Sequence, residues 1–108
     1  MKLENEKALI RTIAEGNTKS FEVLFYSYYP RLKGFICDLL QSPEEAEDIS
    51  QDIFTTLWQN RTSLDKIDNI SAYLFRIAKN AVYRFSRFFV GIIFYLREVL
   101  LTLHYEKR

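Results

Sequence analysis

Apolar residues recur every three or four positions along nearly the whole chain, with polar residues between them, which is the signature of amphipathic helices. On that spacing a first helix covers about residues 3–15, turns Leu9, Ile10 and Ile13 inward, and stops at Gly16, a residue suited to the left-handed step after a helix. A second helix begins at Asn17 or Thr18 and runs to about Gln41. Its apolar face is Phe21, Leu24, Phe25, Tyr28, Leu32, Phe35, Ile36 and Leu39, and the phase survives Pro30, which predicts a kink and not a break. A third opens on Ser42 as cap, Pro43 at the first helical position and Glu45 three residues past the cap. It runs to about Asn60 with Ala46, Ile49, Ile53 and Leu57 as its core stripe and Phe54 and Trp58 at the boundary. The stretch "RTSLDKIDNI" has no settled period and reads as a loop. Ser71 is the expected cap of a fourth helix to about Arg87, with Leu74, Ile77, Ala78, Ala81 and Phe85 inward. Residues 88–105 are helical by pattern but apolar nearly all round.

The expected class is therefore all-α: a compact bundle of four helices plus an apolar C-terminal helix. With three Gly and two Pro in 108 residues there is little room for hairpins, and the length suits one modest core. Charge sharpens the picture. The third helix presents Glu44, Asp48, Gln51, Asp52 and Thr55 opposite its core stripe, and from Asp38 to Asn60 there are six acids and no Lys or Arg. A solvated helix usually mixes its charges, because opposite charges at helical spacing stabilise it; a one-signed face asks for a partner. The fourth helix is the reverse, with Arg76, Lys79, Asn80, Tyr83 and Arg87 on one side and Arg84 at its edge. Cations there can hold phosphates, the Tyr can stack on an unpaired base and the Asn can read a base edge. The bland reading of the same face is a solvated helix that is simply basic.

Other chemistries find less support. The single Cys37 lies in an apolar run and cannot form an internal disulfide, which points to a reducing, cytoplasmic setting. The N-terminal residues lack the apolar stretch of a signal peptide, and "FFVGIIFYL" is too short to span a bilayer, which takes roughly 20 apolar residues. The clustered acids Glu44, Glu45, Glu47, Asp48 and Asp52 invite a metal reading, but a di-metal bundle wants Glu-x-x-His pairs, and the sole His, His104, lies in the tail. No phosphate-cradling Gly-rich loop and no nucleophile beside a base is evident, so no catalytic residue, metal ligand or cofactor is expected.

"AEDISQDIFTTLW", then "NR", a loop, then "YLFRIAKN" resembles region 2 of bacterial sigma factors of the sigma-70 family, nearest to the extracytoplasmic-function (ECF) group. The preceding "LIRTIAEGNTKSFEVLFYSYYPRLKGF" is similar to that family's opening helix pair, and the resemblance covers roughly residues 7–87. It implies that the acidic helix 43–60 docks on the clamp helices of the RNA polymerase β′ subunit. The loop 61–70 and the basic helix 71–87 would then capture the non-template strand of the minus-ten promoter element. On the matching positions, Asp48, Gln51, Asp52 and Trp58 fall on the polymerase-binding pattern, and Asn80, with Arg76 and Lys79 before it, on the strand-reading helix. Asn69 and Ser71 sit where the base-capturing loop meets that helix. An anti-sigma factor is a further partner the resemblance implies.

The family's second helical domain, region 4, has no counterpart after Arg87, so the expected organisation is a region 2-like domain, 1–87, followed by a tail, 88–108. A thin polar strip at Arg97, Glu98 and Thr102 leaves the tail too apolar for one face of packing to bury. The expectation is a homodimer or higher oligomer, with Phe88 and Phe89 extending the core stripe and Ile92, Ile93, Leu96, Val99, Leu100 and Leu103 buried between chains. The competing function is a non-catalytic self-association module, or a region 2 remnant without promoter activity.

Overall fold

The computed structural model describes residues 5–106, with side chains for all of these except 88–90, 93 and 104–106. Helices α1 (Glu6–Ala14), α2 (Thr18–Leu40), α3 (Pro43–Gln59) and α4 (Ile70–Glu106) follow in order, with a short 3-10 helix (Arg61–Lys66) before α4. The expected all-α bundle is what forms. α1 ends at Gly16, whose φ of 96° is left-handed; the Gly16 amide donates to Ile13 and the Asn17 amide to Thr12, which satisfies the last carbonyls of the helix. Asn17 then caps α2, its Oδ1 accepting the Ser20 amide at 3.0 Å. α2 continues through Pro30 as one helix.

α2 is packed by both α3 and α4, and α1 lies against the 3-10 helix. Ile13, Leu24, Leu32, Ile36, Ala46, Leu74 and Ala78 form the fully buried centre. Four expectations need correction. Leu39 is exposed, because the phase of α2 has drifted outward by its last turn. Phe54 is buried and not at the boundary: Phe25 meets it edge-on at 5.2 Å, and Phe21 and Tyr29 close around it. Residues 61–66 are a 3-10 helix and not an open loop, held by Leu64, which is buried in the core. The fourth and fifth helical segments are one unbroken helix of 37 residues, about 55 Å at 1.5 Å per residue.

That last feature sets the shape of the molecule, 69 × 23 × 21 Å. α2 and α4 run in the same direction, since Ser71 adjoins Tyr28 and the Phe35 and Phe75 rings meet at 5.3 Å. α2 ends five residues past Phe35, so the second half of α4 projects beyond the bundle. Among its described side chains Ile92, Phe94, Tyr95, Leu96, Val99, Leu100, Leu101 and Leu103 are exposed; Ile93, Phe88 and Phe89 lie outside the described residues.

Candidate functional site

The acidic face is set by the start of α3. Ser42 Oγ accepts the Glu45 amide at 3.4 Å and Pro43 takes the first helical position. In the phase that follows, Ala46, Ser50, Ile53 and Leu57 turn inward while Glu44, Glu47, Asp48, Gln51, Asp52 and Thr55 reach solvent. Gln51 Nε2 donates to Glu47 Oε1 at 3.4 Å, but Asp48 and Asp52 make no hydrogen bond or ion pair among the described residues. Trp58 closes the face. It is half-buried, packed on Phe21 at 5.1 Å between ring centroids, with the Arg61 guanidinium 4.4 Å above its indole. Arg61 Nη1 also donates to the Trp58 carbonyl at 3.0 Å, while its buried Nε has no partner. One cation therefore pins the ring at the C-terminus of α3, where a positive charge also suits the helix dipole. Arg61 was not among the expected site residues, although its place three positions after the Trp is a visible signal.

The junction between the 3-10 helix and α4 is built from two directions. Locally, Asn69 Oδ1 accepts the Ala72 amide at 3.1 Å, so Asn69 is the cap of α4 and not Ser71, which lies inside the first turn. From across the molecule, Glu6 Oε1 accepts the Ile70 amide at 3.3 Å and Glu6 Oε2 accepts the Tyr28 hydroxyl at 3.3 Å. Burial, reinforced by the Glu6 charge and hydrogen bond, raises the Tyr28 phenol above its ordinary pKa. Ser71 is half-buried and faces that phenol, whereas Asn69 is exposed. Lys66, Ile67, Asp68, Asn69, Ala72, Tyr73 and Arg76 line an open pocket of about 360 Å³ at this junction.

The basic face continues along α4. Arg76, Lys79, Asn80, Tyr83, Arg84 and Arg87 are all exposed. Two cation–aromatic pairs organise it: the Arg76 guanidinium stands 5.6 Å from the half-buried Tyr73 ring, and that of Arg87 5.7 Å from Tyr83. The acidic and basic faces approach each other across a cleft. Asp52 of α3 and Arg84 of α4 line a mostly apolar cleft of about 340 Å³, floored by Ile53, Leu57, Leu64 and Ile77. The expected residues thus fall into two sets on adjacent helices, with Ser71 directed inward between them. Among the described residues no three His, Cys, Asp or Glu side chains come together as a metal site. Likewise, no helix there is long and apolar enough to cross a membrane.

Residues 24–88 match the family described as sigma-70 region 2, a stretch that takes in most of α2, all of α3, the 3-10 helix and the packed half of α4. The ECF RNA polymerase sigma factor RpoE of Cereibacter sphaeroides is 31% identical over 75 residues, which is 68% of this chain and 41% of that protein. The chain thus spans about two-fifths of the length of that relative. No solved structure matches it.

Proposed function

The chain belongs to the sigma-70 region 2 family, and we propose that it is a transcription-initiation module of the ECF kind, working in the cytoplasm. It binds core RNA polymerase through α3 and the opened minus-ten promoter element through the junction and α4. The observation that carries this reading is the separation of charge across two packed helices. Asp48 and Asp52 stand in solvent without cations of their own among the described residues, while Arg76, Lys79, Arg84 and Arg87 line the neighbouring helix. In this reading the missing cations of α3 belong to the clamp helices of β′, and Trp58, held by Arg61, supplies the apolar anchor beside them.

Strand capture needs no chemistry, only a place for unpaired bases, because the inner edge of a paired base is out of reach. The pocket at Asn69 and Tyr73 has room for a base, and Tyr83 offers a face for stacking, worth ~1–3 kcal/mol per base. Arg87 and Lys79 hold phosphates, which position the strand, and Asn80 reads it. Ser71 acts from behind, through Tyr28, by holding the first turn of α4. An anti-sigma factor covering either face would switch the module off.

A pull-down of core RNA polymerase with the intact protein and with Asp48→Arg/Asp52→Arg tests the polymerase half. Both sites are exposed, so the fold should change by no more than about 0.5 kcal/mol per site, and β′ should be lost from the eluate. A double variant of unchanged helicity that still retains β′ would refute the assignment. For the strand half, binding of a minus-ten single strand in the presence of core polymerase should weaken with salt, by about 0.7 in log–log slope per phosphate contact. Asn80→Ala should flatten the preference among sequences, whereas Arg87→Ala should weaken binding evenly across sequences and lower the slope without changing the preference.

A further inference from the structure

The projecting half of α4 repeats the stripe that its packed half uses to join the bundle. Leu74, Ala78, Ala81 and Phe85 are spaced four, three and four residues apart, and so are Ile92, Leu96, Val99 and Leu103. Each member of the second set lies eighteen residues after its counterpart, five whole turns at about 3.6 residues per turn, so both stripes point to the same side of one helix. In the first stripe Leu74 and Ala78 are fully buried against the bundle. In the second, all four side chains are exposed, and none of the described residues of the bundle covers them. Alternating four- and three-residue spacing is the knobs-into-holes seam of paired helices, and a contiguous apolar surface of this kind exceeds what monomers usually leave in water.

From this we infer that the occupant is the same stripe of a second copy, and that the two α4 helices pair antiparallel about a two-fold axis near residues 97 and 98. The direction follows from the phase. Because stripe and bundle share one side of α4, a partner helix on the stripe lies directly beyond the turn between α2 and α3. Were it parallel, it would run on into the space those helices fill. Running antiparallel, it carries its own bundle to the far end, and the two domains stand apart at opposite ends of the pair. The two-fold sets Ile92 of one copy opposite Leu103 of the other and Leu96 opposite Val99, a self-complementary pattern of the isologous kind. Arg97 and Glu98 point away from the seam and stay in water. This pairing does not depend on the function proposed above, and it leaves α3 and the basic face of α4 uncovered.

Two stretches of twelve residues (92–103) make a small interface, below the roughly 1,200 Å² at which stable ones begin, so the pair should dissociate on dilution through the micromolar range. Sedimentation equilibrium of the intact protein should show the mass rising with concentration from 12.9 kDa to twice that value. Leu96→Glu/Val99→Glu should hold it at 12.9 kDa at every concentration with the near-ultraviolet dichroism of the bundle unchanged. Direction is read separately, in a Cys37→Ser background, by mixing Ile92→Cys with Leu103→Cys under mild oxidation. A mixed disulfide should form in preference to either symmetric one. The inference is overturned by a constant single-chain mass, by a charged variant that still pairs, or by a preference of the Ile92→Cys variant for a disulfide with itself. It is equally overturned if the intact protein stays single-chain but sediments with phosphatidylglycerol vesicles, which would make the stripe a lipid contact.

Discussion

α4 is one helix that meets two fates. Over its first half, Leu74 and Ala78 are 0% exposed; over its second, on the same side, Leu96 and Leu103 are each 51% exposed. The apolar content does not explain the difference, since the second half is the richer. What differs is reach: α2 stops at Leu40 and α3 starts at Pro43, so the α2–α3 turn marks where cover ends and α4 continues. Amphipathic pattern specifies which side of a helix wants a neighbour. Whether one arrives is decided by the lengths of the other helices, and a stripe left uncovered is a binding site or a liability.

The sharpest way to break this comparison is to truncate one residue in each half. Leu74→Ala removes a fully buried side chain from the core and should cost about 2–5 kcal/mol, through lost transfer energy and the cavity left behind. Leu100→Ala, exposed and off the seam, should change the bundle's stability in urea by less than about 0.5 kcal/mol. Equal losses at the two sites would mean that the second half of α4 is packed against its own bundle in solution.

A smaller effect tests what holds the first half at its start. Glu6→Ala deletes the carboxylate that accepts the Ile70 amide and the Tyr28 hydroxyl, and should cost about 1 kcal/mol, the usual value of a lost helix cap. Hydrogen exchange should quicken at Ile70 while amides beyond residue 90 keep their rates. The same network carries a pH dependence. The folded-state pKa of Tyr28 is raised above its ordinary value of 10.0, so the native state holds the phenol proton more tightly than the unfolded chain does. That stability is fully present below pH 10 and falls as pH rises through the folded-state value. Tyr28→Phe should be less stable at neutral pH, and its stability should fall less steeply above pH 10. An unchanged alkaline slope would remove Tyr28 from the account.

Much of this was legible in the chain, and several of the exceptions share a cause. Ser42, Pro43 and Gly16 act locally, and they stand where a helix start and stop were expected. The acidic and basic sides of α3 and α4 follow from periodicity, and their exposed members are exposed as expected. Those exceptions involve partners distant in sequence. Phe54 is inside because three aromatic side chains of α2 surround it, and Leu64 is inside because the 3-10 helix packs on α1. Asn69 and Ser71 are both good caps; the helix uses Asn69, which takes the Ala72 amide, while the Glu6 carboxylate from the far end of the chain takes the Ile70 amide beside it. The continuity of α4 was hidden for a different reason: the change from a one-sided to an all-round apolar pattern looks like a boundary, although nothing in the backbone requires one.

The smallest prediction isolates the second half of α4 without touching any contact. Gly91 is exposed inside the helix, and a Cβ built there meets nothing within 4 Å. Glycine in a helix interior costs about 0.5–1 kcal/mol relative to alanine, because the unfolded backbone loses more freedom on entering the helix. Gly91→Ala should therefore stiffen α4 between its halves, raising helical dichroism at 222 nm at high temperature and slowing amide exchange past residue 91. The urea midpoint of the bundle, read by the near-ultraviolet signal of Trp58, should stay where it is. If the two readouts moved together, the projecting half would be folding as part of the bundle, and the contrast between the two halves of α4 would be one of exposure alone and not of independent stability.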